Sequence, residues 1–196
     1  MKQFQFKNNQ NIDLQNLLIP GDTVQLVSVS EKFAEAIFRE FTEEITRYMI
    51  PSPAKSISEI HDFIARSTEG MNNQQELVLA ITSTQETFMG CVGLHARGHG
   101  CTPELGVWVK KSAHGNGYGR LAVSSLFRWA LENIVFEYAI YPADRSNIPS
   151  RKIPESLGGR IFKEAIVTTA SGRTLDEVIY KIPVPTQALD IQGTEG

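Results

Sequence analysis

From Thr23 to Val29 apolar residues alternate with polar ones, the period of a strand with one buried face. From Glu31 to Met49 the period lengthens. Phe33, Ile37, Phe38, Phe41 and Ile45 fall on one face, so the pattern predicts a single helix over 31–49. A loop follows at 51–56. Ser56 and Glu59 have the spacing of a capping box and open a second helix, Ile57 to Ser67. Residues 76–83 and 87–97 read as strands joined by a short turn, and 104–109 as another. Ala122, Val123, Leu126, Phe127, Ala130 and Ile134 then recur at helical spacing over 120–134. A strand at 135–141 and a short helix at 149–157 come next. Two last strands form a hairpin around Ala170-Ser171-Gly172. The first 20 residues read as a loosely held arm, 21–184 as one domain and 185–196 as a polar tail.

The resulting order, βααβββαβαββ, predicts an α+β (mixed α/β) fold. The sheet should be twisted and mainly antiparallel, with helices on both faces. Strands 104–109 and 135–141 should form its one parallel pair, joined by a right-handed crossover through helix 120–134. Where two parallel strands part, their open ends admit a ligand.

The stretch between the first of those strands and the crossover helix holds the most chemistry. Gly115, Gly117 and Gly119 crowd into five residues directly before a helix N-terminus. Free N–H groups of a first helical turn and the helix dipole favour an anion, and glycine lets the backbone approach it closely. Three phosphate loops compete. A Walker A loop ends in Gly-Lys-Ser or Gly-Lys-Thr, but Arg120 and Leu121 follow Gly119, so that reading is set aside. Gly117 to Ala122 fits the dinucleotide fingerprint Gly-x-Gly-x-x-Gly/Ala, with Glu137 at the distance of its acidic ribose partner. Glu137 lies inside an apolar run rather than at its end, and the loop comes late in the chain. A glycine turn with no ligand is the plain alternative.

The third loop is a family resemblance. His114 to Gly119 is similar to the acetyl-CoA loop of the GCN5-related N-acetyltransferases, Gln/Arg-x-x-Gly-x-Gly/Ala, with Gly117 and Gly119 on its two small positions. Gly115 falls where that family often has another glycine, and His114 replaces its Gln or Arg. Asn147 to Gly159 resembles the family's second motif, an Asn and Ser followed by a short helix ending in Leu-Gly. The strand at 104–109 and the segment from Asn147 to Lys152 most resemble the ribosomal-protein N-terminal acetyltransferase branch. The resemblance implies that Val107, Trp108 and Val109 hold pantetheine through their backbone. It implies that His114, Gly115, Asn116, Gly117, Tyr118, Gly119 and Arg120 hold the pyrophosphate, with Lys110 and Lys111 adding charge.

It also implies transfer of an acetyl group from acetyl-CoA to a primary amine, by direct attack in a ternary complex. A protonated amine is no nucleophile, so a base must first take a proton. Glu104, opening the strand nearest the loop, is the expected base. Asn147 is expected to position cofactor amides or water, and Ser150 to hydrogen-bond the sulfur, though either residue also suits a helix cap. Many relatives carry a tyrosine acid seven residues after the asparagine, where this chain has Pro154. Tyr138 and Tyr141 are the nearby candidates to replace it, with nothing in the sequence that aims them at the sulfur. Pro154 should also limit the helix to a first turn or kink it. A non-catalytic acyl-CoA or nucleotide sensor is the alternative reading.

Composition narrows the partners. The chain has 196 residues and a net charge of −3, with no Lys- or Arg-rich run, so nucleic acid is not expected. It has no run long enough to span a membrane, and its polar start lacks a signal-peptide core, which points to the cytoplasm. The expected partner is a small-molecule or peptide amine, with a protein N-terminus among the candidates, and the chain a monomer or homodimer. Cys91, His95, His99 and Cys101 share a strand face, but four strand residues span about 13 Å, too far for one zinc. Only a sharp turn at Gly98 and Gly100 would gather the last three, so no metal is expected.

Overall fold

The computed structural model describes residues 3–9, 11–96 and 102–185. Eight strands form one sheet: β1 (Leu18–Ile19), β2 (Val24–Ser28), β3 (Glu76–Ser83), β4 (Phe88–His95), β5 (Glu104–Val109), β6 (Tyr138–Asp144), β7 (Arg160–Thr168) and β8 (Thr174–Pro183). Their spatial order is β1-β2-β3-β4-β5-β6-β8-β7. Every neighbouring pair is antiparallel except β5–β6. The α-helices among the described residues are α1 (Ala34–Glu40), α2 (Glu43–Thr46), α3 (Ile57–Asn72), α4 (Tyr118–Asn133) and α5 (Ile148–Ser156). In β3 every residue from Leu77 to Thr82 is buried, which requires cover on both faces of the sheet. α3 packs on β3, while α4 packs on β2, β4 and β5. The expected face of α4 is the buried one, with Leu126 wholly enclosed.

β5 and β6 separate almost as soon as they meet. Their ladder has a single register pair, Glu104 with Ile140, beside a bond from Ile140 N–H to Pro103 O at 2.9 Å. β5 stays paired with β4 from Glu104 to Val109, so only its β6-facing edge is left open. Strand N–H groups two residues apart face the same edge. The Pro142 nitrogen therefore faces β5, beyond the point of separation. A proline there forfeits no ladder bond.

Several expectations need correction. The helix expected over 31–49 breaks after Glu40. Phe41 (φ −86°, ψ 69°) and Thr42 (φ −89°, ψ 172°) leave helical geometry. The Phe41 ring instead packs on Trp108, with centroids 4.9 Å apart, so tertiary contact overrides the continuous apolar face. The capping box does not form at Ser56, whose side chain caps nothing; Glu59 accepts from Lys55 N–H at 3.1 Å instead. The strand expected at 135–141 starts three residues later. Val135 N–H bonds Gln5 O, and Ile134 bridges Phe6, so this stretch is claimed by the N-terminal segment. That segment is no loose arm. Phe4, Phe6 and Leu14 are buried in the core. Nor does Pro154 shorten α5. It lies buried near the helix end, where one missing N–H removes only the bond to Ser150 O. The expected polar tail lies outside the described residues from 186 onward.

Candidate active site

The glycine loop joins the end of β5 to α4. A short 3₁₀ turn, Lys111–Ala113, leads into it. Gly115 and Gly117 have φ of 82° and 74°, a conformation that disfavours side chains. A Cβ at either would meet nothing within 4 Å, so both face open space. Gly119 differs. Its Cβ would touch Val109, Ile153 and Val107 at 3.5–4.0 Å, so it faces the packing of α4 rather than the open side of the loop. The first bond into α4 runs from Leu121 N–H to Gly117 O at 3.0 Å. The N–H groups from Gly115 to Arg120 meet no acceptor among the described residues. Six consecutive donors around a helix start form an anion cradle.

Two side chains brace this cradle from within. Asn116 Nδ2 donates to Ala113 O at 3.3 Å and His114 O at 3.1 Å. His114 Nε2 lies 2.8 Å from Val109 O. A carbonyl only accepts, so that nitrogen carries the proton, and the ring ties the loop to the strand end instead of reaching into the cradle. Lys111 is ion-paired with Glu44, whose carboxyl this bond holds below its ordinary range. Arg120 is exposed at the start of α4.

Across β5 from the loop opens a cavity of about 690 Å³, a ligand-sized volume. Phe41, Phe63 and Trp108 supply apolar wall; Glu104, Ser150 and Glu177 supply polar groups. Thus β5 presents Trp108 and Glu104 to the cavity, and its β6-facing edge to the split. Asn147 lines the cavity too, and its Oδ1 accepts from Ser150 N–H at 3.3 Å, the cap of α5. Ser150 Oγ lies 3.0 Å from the hydroxyl of Tyr141, a residue only 2% exposed. Burial pushes the Tyr141 phenol up to about 12, while the bond to Ser150 works the other way. Tyr141 thus keeps its proton and can donate it to Ser150, leaving the serine proton to point elsewhere. Tyr138 packs against Phe162 and Lys181 and is not among the cavity residues.

Glu177 on β8 is the residue the sequence did not disclose. It is 9% exposed, and burial raises its pKa, helped by the charges of Glu104 and Asp144. Nothing local marks it. Strand pairing brings it opposite Asp144, and the cavity opens beside both Glu177 and Glu104. His95 also lines the cavity, paired by register with Glu104, and its Nδ1 meets Glu76 Oε2 at 2.8 Å. Its ring lies over Gly93, where a Cβ would come within 2.6 Å of Nε2. No group of metal-binding side chains occurs among the described residues, and Cys91 is a buried thiol pushed far up by desolvation. His99 and Cys101 lie outside the described residues. No helix among the described residues is long and apolar enough to cross a membrane.

Residues 24–160 match the acetyltransferase (GNAT) domain family, so the chain belongs to that family of N-acetyltransferases. No curated protein matches the chain. Solved structures share the fold. The microcin C7 self-immunity acetyltransferase MccE, in complex with acetyl-CoA and AMP, is 21% identical over 88% of this chain and 99% of its own, with a TM-score of 0.72. RimL, the ribosomal L7/L12 alpha-N-protein acetyltransferase in complex with coenzyme A, is 14% identical over 86% and 98%, at 0.74. A GCN5-related N-acetyltransferase from Brucella melitensis is 13% identical over 92% and 82%, at 0.73.

Proposed function

We propose that this chain moves an acetyl group from acetyl-CoA to a primary amine, which attacks the thioester directly in a ternary complex. The observation that carries the reading is the split between β5 and β6, with the acceptor-less amides of Gly115–Arg120 beyond the end of β5 and the cavity of Glu104 and Glu177 alongside the strand. A coenzyme A group suits these residues. Gly115 and Gly117 leave room where side chains would stand, and Val107, Trp108 and Val109 offer a strand edge that no β6 residue pairs. The amides of Gly115 to Arg120 serve the pyrophosphate, with the Arg120 charge nearby. His114 and Asn116 shape the loop rather than touch the phosphate with their side chains. Acetyl-CoA supplies the activated acetyl group.

The protein supplies proton handling and position. Glu104 takes the proton from the incoming ammonium. Glu177 beside it discourages the acceptor's positive charge from leaving before that transfer. Ser150, backed by Tyr141, offers a hydroxyl proton to the departing sulfur, and Asn147 fixes the start of α5 that carries Ser150. A protein N-terminus is one acceptor the reading allows.

Thiol release from acetyl-CoA, followed with a panel of amines, tests this. Release should depend on the amine, and Glu104→Gln should lower turnover by about 10²-fold or more, the scale of a lost general base. The deficit should shrink at high pH, where more amine is already neutral. Unchanged turnover at neutral pH removes Glu104 from the mechanism. Binding of acetyl-CoA with no release for any amine would mark a domain that senses the ligand without turning it over.

A further inference from the structure

Among the described residues, the charges lining the acceptor cavity are mostly acidic: Glu59, Asp62 and Glu177, together with Glu104, against the guanidinium of Arg66. His95 is already engaged, with Glu76 Oε2 at 2.8 Å from its Nδ1. Arg66 and Asp62 are exposed on α3, whereas Glu177 is buried, so the carboxylate with the greatest need of a partner lies deepest. No cation among the described residues meets the Glu177 carboxylate. A buried carboxylate without a partner is costly, and its cost falls when a cation enters. The remaining wall is apolar and aromatic, with Phe41, Phe63 and Trp108 foremost, and aromatic faces also favour cations.

We infer, on the acetyl-transfer reading above, that the acceptor is a cationic amine with an apolar body and no acidic group beside the reacting nitrogen. A free amino acid would bring its own carboxylate, two bonds from the nitrogen, up against the buried Glu177. Like charges juxtaposed in a binding site weigh heavily against a ligand. An amine of the same body without that carboxylate meets no such repulsion.

Phenethylamine, phenylalaninamide and phenylalanine share one ring and differ in what stands beside the nitrogen. Their kcat/KM values at saturating acetyl-CoA test the inference, with thermal stabilisation by acetyl-CoA measured in parallel. Phenethylamine and phenylalaninamide should each exceed phenylalanine by about tenfold or more, the effect of one unfavourable charge contact. Asp62→Lys, an exposed change at the cavity, should narrow that gap. Phenylalanine turned over as well as phenethylamine overturns the inference and leaves acetyl transfer standing. So does a gap that Asp62→Lys widens. Stabilisation by acetyl-CoA without turnover of any of the three amines also overturns it, since the apolar cationic body it names would then not be accepted. Failure of acetyl-CoA to bind at all sinks the acetyl-transfer reading itself.

Discussion

Glu177 ties stability to function through a single carboxyl. Its folded pKa is raised by burial and by Glu104 and Asp144, so the folded state holds its proton more tightly than the unfolded state does. The stability this contributes is present below the ordinary carboxylate range and is lost as pH rises through the raised folded value. Glu177→Gln removes the penalty. The variant should melt above the wild type at pH 8, and the difference should shrink as pH falls toward 4; a lower Tm at pH 8 contradicts the assignment. Ser150 and Tyr141 form the second residue-scale pair. Ser150→Ala should cost roughly tenfold in kcat at saturating acetyl-CoA, the worth of one hydrogen bond to developing charge. Tyr141→Phe should cost less, because it acts only through Ser150. A collapse in Tyr141→Phe with Ser150→Ala near wild type would place the acid on the tyrosine. Sequence motifs reached Glu104, Asn147 and Ser150 because each belongs to a local pattern. Glu177 and the orientation of Tyr141 were out of reach, since pairing between strands distant in sequence sets both.

The elements divide along the same line. Apolar spacing and capping signals located the helices up to α4 and missed the break at Phe41, whose apolar position fits a helix face as well as it fits contact with Trp108, while α5 went with the second family motif. Apolar spacing placed the start of β6 three residues early, because the apolar run from Val135 does not show that Ile134 and Val135 pair with the N-terminal segment instead. The glycine loop was legible as a loop, but its three glycines do different work. Gly117 at φ 74° and Gly172 at φ 82° in the β7–β8 turn have similar backbones and equal room for a Cβ. Gly117→Ala and Gly172→Ala should therefore lose similar stability, about 1 kcal/mol each from left-handed strain. Only Gly117→Ala should weaken acetyl-CoA binding, by about tenfold or more, since its Cβ enters the cradle. Gly119→Ala, facing Val109 and Ile153 in ordinary contact, should keep its affinity. Equal acetyl-CoA affinity in Gly117→Ala and Gly172→Ala would remove the loop from the cofactor site.

At the scale of the molecule, the order of strands from β2 to β8 was readable from pattern, and with it the single parallel pair, while the edge strand β1 lay in the stretch read as a loose arm. Helices on both faces of the sheet were expected from the order of elements. What stayed hidden was the N-terminal segment, where Phe4, Phe6 and Leu14 stand among mostly polar neighbours, too few to sustain a period, yet all join the core. The split sheet is the feature on which the functional account turns, because it sets a phosphate cradle beyond the Val109 end of β5 and an amine cavity alongside the strand. Calorimetric titration of the whole chain with acetyl-CoA, and separately with NAD, tests that account most directly. It predicts saturable one-site binding of acetyl-CoA and little or none of NAD, with a rise in Tm that follows ligand concentration by mass action. Tighter binding of NAD than of acetyl-CoA would contradict it and return the glycine loop to the dinucleotide fingerprint.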